Sequence, residues 1–86
     1  MKVELFHEVA LTRDFPEYHL RAGDIATLLD FVPHPSGGED GGVLEVFNAL
    51  GKSIAVITVP LSAIEPLGPN EILTVRSFTP TSDITI

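Results

Sequence analysis

No stretch of this chain carries apolar residues at helical spacing for long enough to make an amphipathic helix. Short runs of β-favouring residues are instead cut every few positions by Gly, Pro, Asn or Asp. That punctuation predicts an all-β domain of sandwich or barrel type, with no substantial helix. With 86 residues, the chain makes one domain and one small core.

The first run, Glu4 to Arg13, alternates Leu5, His7, Val9 and Leu11 with Phe6, Glu8, Ala10 and Thr12. Period-2 patterning marks a strand with two unlike faces. Asp14-Phe15-Pro16-Glu17 breaks it, because proline lacks the amide a ladder needs. Arg21-Ala22-Gly23-Asp24 reads as a turn, followed by a dense apolar strand from Ile25 to Val32. Residues 33–42, Pro-His-Pro-Ser-Gly-Gly-Glu-Asp-Gly-Gly, have loop composition throughout and predict a mobile connection.

Val43 to Phe47 and Ser53 to Val59 are predicted to pair as a hairpin across Asn48 to Lys52. Ile54, Val56 and Thr58 share one face of the second strand, and Ala55, Ile57 and Val59 the other. Both faces are largely apolar, which points to a central strand covered from two sides. Leu61 to Ile64 is too short for an α-helix and reads as one 3₁₀ turn, before a last short strand from Glu65 to Leu67.

Five short strands, a long first loop, a Gly-Asp turn, a hairpin and a 3₁₀ turn make the pattern of a small SH3-like barrel. The barrel is expected over about 4–68. Glu71 to Phe78 reads as an extra C-terminal strand, and 79–86 as a polar tail ending Ile84-Thr85-Ile86. A surplus strand covers an edge of its own chain or joins the sheet of a second subunit. A homodimer through Glu71 to Phe78 is therefore expected.

Twelve acids against five bases give a formal net charge of −7. The bases Lys2, Arg13, Arg21, Lys52 and Arg76 stand singly. Phosphate recognition and anionic membrane surfaces both call for clustered bases, so neither nucleic acid nor membrane is the expected partner. An acidic surface suits solubility or a basic protein partner. There is no cysteine, which excludes disulfides, thiolate metal sites and cysteine nucleophiles. Met1-Lys2-Val3-Glu4 places an acid where a signal peptide would run apolar, and a cytoplasmic protein is expected.

The run Val9-Ala10-Leu11-Thr12-Arg13-Asp14-Phe15-Pro16-Glu17, then Leu20-Arg21-Ala22-Gly23-Asp24-Ile25-Ala26-Thr27-Leu28, resembles the bacterial family catalogued as domain of unknown function 4926. Leu44 to Phe47, Ile54 to Val59 and the close Ile64-Glu65-Pro66-Leu67 extend the resemblance over roughly residues 3 to 78. It implies an SH3-like barrel in a small bacterial cytoplasmic protein and brings no activity with it. The Gly23-Asp24 turn is also similar to the KOW motif of ribosomal and elongation proteins. Ala26 stands where both patterns commonly carry glycine, and the bases that serve RNA contact in KOW proteins are missing.

Three histidines, His7, His19 and His34, raise a metal site, with Glu17 or Glu39 as further ligands. They fall in a strand and two loops without helical spacing, so unrelated histidines are the simpler reading, and no metal or other cofactor is expected. Asp14, Glu17 and Asp24 bracket the first loop, but acid-base work would need a pocket that desolvates one of them. The serines lack a strand-turn-helix setting, and the Gly-Gly pairs are followed by no phosphate-binding lysine. What remains is partner binding on the first loop, where Phe15, Glu17, Tyr18 and His19 could form an aromatic anchor. The simpler alternative is that Phe15 caps the core and Tyr18 lies flat on the surface. The expectation is a non-enzymatic interaction or accessory module, one form being an inhibitor or immunity-type protein that masks a basic partner. A KOW-like nucleic-acid binder and a histidine-based metal protein are the alternatives.

Overall fold

A computed structural model describes residues 2–78. The chain forms β1 (Glu8–Leu11), β2 (Ile25–Val32), β3 (Gly41–Phe47), β4 (Ser53–Pro60) and β5 (Ile64–Pro66), with one-turn 3₁₀ segments at Pro16–Tyr18 and Leu61–Ala63. All neighbours pair antiparallel in one sheet of order β4-β3-β2-β1-β5. β4 and β5 lie at its two ends and share no ladder, so the sheet is open. The all-β fold, without an α-helix among the described residues, is as expected. The 79–86 tail lies outside the described residues, and no helix among those described is long and apolar enough to cross a membrane.

The core is one cluster, with Val9, Leu28, Leu44 and Val59 fully enclosed, one from each of the first four strands. β2 and β3 turn alternate residues inward: Ala26 and Leu28 from one, Gly42, Leu44 and Val46 from the other. Alternation along a pleated strand makes this possible.

The first strand is shorter than its sequence pattern. Phe6 takes a left-handed backbone (φ 65°), and the turn around it separates Leu5 from β1. Pairing with β2 continues past that turn, as Phe6 N–H donates to Leu28 O (2.6 Å) and Leu28 N–H to His7 O (3.0 Å). At the far end, Thr12 leaves the β1–β2 pairing and donates its N–H to Ala63 O at 2.8 Å.

The glycine-rich loop is also shorter than expected, because Gly41 and Gly42 belong to β3. At Gly42 an added Cβ would meet Leu28 Cδ1 at 3.0 Å and Leu61 Cδ2 at 3.3 Å. Close packing, not loop flexibility, accounts for this glycine. The loop's end is tied down: the Glu39 carboxylate accepts from Ser62 N–H (2.6 Å) and Oγ (3.2 Å), and Asp40 O accepts from Leu61 N–H (3.0 Å).

Two expectations about strands fail. β4 is an edge strand, not a central one, and its Ile54, Val56 and Thr58 face stays exposed while Ile57 and Val59 are buried. Its apolar composition on both faces misled, since composition does not say whether a second layer covers the outer face. Glu71 to Phe78 forms no strand at all. Among the described residues, no backbone–backbone hydrogen bond involves 72–78. A β-favouring sequence that does not lie along a strand's edge makes no ladder.

Candidate interaction surface

The segment 71–78 leaves the sheet after Leu67 through Gly68-Pro69-Asn70. Glu71 closes that bend on itself: its N–H donates to Gly68 O (3.3 Å), and its carboxylate accepts from Gly68 N–H (2.5 Å). Beyond it the segment crosses the end of the sheet as a strap, and Phe78 packs against the core cluster.

Arg76 fastens the strap. Its guanidinium grips the Asp24 carboxylate with both Nε, at 2.8 Å from Oδ1, and Nη2, against Oδ2. Nη2 also donates to His19 O at 3.2 Å, and Nη1 to Ser77 O at 2.9 Å. A planar fork with two parallel donors suits a carboxylate better than any other side chain does. The ion pair is mostly sheltered, with side-chain exposures of 26% for Arg76 and 17% for Asp24.

Local sequence sets both acceptors in place. Gly23, at φ 92°, allows the tight turn that lets Asp24 Oδ2 accept from Arg21 N–H (2.8 Å) and Asp24 N–H reach Arg21 O (3.0 Å). The turn is locked to β1 by Gly23 N–H to Leu11 O (2.8 Å) and Leu11 N–H to Asp24 O (2.9 Å). Asp14 adds a further tie, accepting from Ala22 N–H at 2.9 Å. His19, left-handed at φ 60°, ends the 3₁₀ turn Pro16–Tyr18 with its N–H on Pro16 O.

Burial pushes the Asp24 carboxyl upward. The Arg76 and Arg21 hydrogen bonds and the two nearby guanidinium charges outweigh that and hold it below the usual 3.8. Arg76 is raised in turn, chiefly by its hydrogen bond to Asp24.

Between strap and sheet lies an open groove of about 1030 Å³. The β1–β2 turn, the β3–β4 hairpin at Phe47, Asn48 and Ile54, and the strap itself line it. Above the groove Ile72, Leu73 and Val75 are exposed, Ile72 at 87% and Val75 at 97%. The adjoining hairpin and edge strand add exposed Phe47, Leu50, Ile54 and Val56. Asn48 shapes that hairpin, with its side-chain oxygen accepting from Leu50 N–H (2.9 Å) and Lys52 N–H (3.0 Å).

The four first-loop residues fall in different surroundings. Phe15 is in the core cluster at 8% exposure, and Tyr18 packs on the cluster half-buried, with ring centroids 6.1 Å apart. The Arg13 guanidinium sits 5.5 Å from the Phe15 ring centroid. Glu17 and His19 are exposed. Asp14 and Asp24 both serve the β1–β2 turn. Among the described residues, no group of three or more His, Cys, Asp or Glu is placed to hold a metal ion.

The element that sequence reasoning missed is the pairing of Arg76 with Asp24, 52 positions apart. The one available signal was a lone arginine inside an apolar, strand-like run, Ile72-Leu73-Thr74-Val75-Arg76. In comparisons with known proteins, no family model matches the sequence, and no curated protein or solved structure matches it either.

Proposed function

We propose that this chain is a non-enzymatic protein-interaction module, built on an SH3-like framework and acting in the cytoplasm. The strand order β4-β3-β2-β1-β5, with a 3₁₀ turn leading into β5, supports the SH3-like reading, since a meander whose last strand returns to the first is the topology of that barrel. The resemblance to the family of domain of unknown function 4926 points the same way. Of the first-loop residues Phe15, Glu17, Tyr18 and His19, the exposed Glu17 and His19 and the half-buried Tyr18 are contact candidates, while Phe15 belongs to the core.

The observation that carries the reading is that five exposed large apolar side chains, Phe47 and Ile54 of the hairpin and Ile72, Leu73 and Val75 of the strap, line one groove. Leu50, 88% exposed, and Val56 belong to the same hairpin. Contiguous exposed apolar surface of this kind marks interaction sites on soluble proteins. The net charge of −7 adds a direction: an acidic module steers toward a basic partner and discriminates against acidic ones. An inhibitor or immunity-type role, masking a basic surface, is the concrete form.

The test is capture of the native-level protein from its host at low and high salt, with Val56→Asp and Leu50→Asp variants in parallel. The expected result is a stoichiometric protein, another chain or its own second copy, that is lost with the variants. Binding to another chain should also weaken with salt. Recovery of a monomer alone, or of a partner indifferent to both variants, would defeat the reading.

A further inference from the structure

We propose that the strap exchanges between two copies of this chain, so that Arg76 of each copy grips Asp24 of the other. The inference rests on the interaction-module reading and names the occupant of its groove.

Four observations carry it. First, among the described residues the strap is fastened near its far end. Residues 72–78 have no backbone–backbone hydrogen bond among the described residues, and hold is provided by the Arg76 fork and the Phe78 ring. A segment held by separable side-chain contacts, beyond a short Gly68-Pro69-Asn70 hinge, can make the same contacts on an identical neighbour. Second, charge fits. Asp24 and the His19 carbonyl form an acceptor site for one arginine, and every copy of the chain carries such an arginine on such a segment.

Third, closure on the same chain places Ile72, Leu73 and Val75 on the rim of an open groove of about 1030 Å³ without covering them. All three then remain exposed, apolar surface that burial against a neighbour would remove from water. Fourth, Ile72-Leu73-Thr74-Val75 is a β-favouring run whose amides and carbonyls make no backbone–backbone hydrogen bond among the described residues. A reciprocal exchange carries two such runs across the same pair of grooves in opposite directions. There they can pair with each other as an antiparallel ribbon and cover one another's apolar side chains. In the closed copy the strap pairs with neither edge of the sheet among the described residues.

Charge reversal tests the exchange. In the full chain, Asp24→Arg sets two guanidinium groups against each other, and Arg76→Asp does the same with two carboxylates. Each variant alone is expected to be monomeric by light scattering and sedimentation at concentrations where the unmodified chain is a dimer, with its dimer dissociation constant raised at least tenfold. An equimolar mixture restores opposite-charge pairs only between chains, and is expected to give a one-to-one heterodimer. The proposal falls if the unmodified chain is a monomer, if the single variants dimerise undiminished, or if the mixture stays monomeric.

Asp24 also caps its own turn, so Asp24→Arg could fail to fold. A measurement on the unmodified protein covers that case. In a sample mixing ¹³C-labelled and unlabelled chains, isotope-filtered NOEs are expected between the Phe78 ring of one copy and core methyl groups of the other. NOEs of Phe78 confined to its own chain would overturn the exchange. A monomer that still captures a basic partner through Leu50 and Val56 would also overturn it, and would leave the interaction reading standing.

Discussion

β2 and the strap are two β-favouring runs of equal length with opposite fates. Ile25–Val32 pairs with β1 on one side and β3 on the other, and sends Ala26 and Leu28 into the core. Residues 71–78 are nearly as rich in Ile, Leu, Val and Thr, yet they make no ladder and leave most of those side chains in water. Propensity is nearly the same in both, so propensity does not decide. A strand must lie along a neighbour's edge and have a layer to bury against, and among the described residues the strap pairs with neither end strand of its own sheet. One arginine and one phenylalanine hold it instead.

That contrast is broken most severely from the β2 side. Leu28→Ala removes a side chain with no solvent exposure, and is expected to cost about 2–5 kcal/mol of global stability by urea unfolding. The strap should be lost along with the sheet. Next in size is Gly42→Val, whose Cβ would press on Leu28 and Leu61. A loss of about 1–3 kcal/mol is expected, with the β2–β3 amides exchanging faster with deuterium.

Arg76→Ala acts from the other side. It should cost about 1–2 kcal/mol and free the strap while the sheet's amides keep their protection, a split visible by residue-resolved hydrogen exchange. Acid should do the same to the unmodified protein. The Asp24 carboxyl is depressed in the folded state, so its stabilisation is complete above the ordinary value of 3.8 and is lost as pH falls through the lower folded value. Strap release should therefore set in below about pH 3.8 and vanish as a separate event in Arg76→Ala. Smallest of all, Val75→Ser changes a side chain that is 97% exposed, and should move the stability of the isolated chain by no more than about 0.5 kcal/mol. It should weaken the exchanged dimer, and that asymmetry sharpens the comparison.

Most of the sheet was legible because its signals are local. Alternation and turn residues mark β2, the hairpin around Asn48-Ala49-Leu50-Gly51-Lys52 and the Leu61–Ala63 turn almost to the residue. What was lost depends on distant parts of the chain. Phe6 turns left-handed where alternation runs straight on, and β1 shrinks to four residues. Gly42 looks like loop glycine until Leu28 and Leu61 are seen crowding the place a Cβ would take. β4 looks central until it is found at the end of the sheet order. The candidate surface was harder still. Asp24 reads correctly as a turn residue, but nothing near it in sequence announces that Arg76 will use the same carboxylate.

The tethered glycine loop at the other side of the molecule has a consequence of its own. Gly37, at φ 79°, has open space where a Cβ would stand, while Ser36 N–H is held by His34 Nδ1 before it and Glu39 is bound to Ser62 after it. The Val32–Gly41 ladder pair and the Glu39–Ser62 tie thus hold the loop's ends independently of its tip. A guest sequence spliced between Gly37 and Gly38 would leave those ties intact, and each doubling of the loop's length would cost only about 0.6 kcal/mol of closure entropy. The domain could then serve as a carrier, displaying a foreign peptide at a fixed site in the β2–β3 loop.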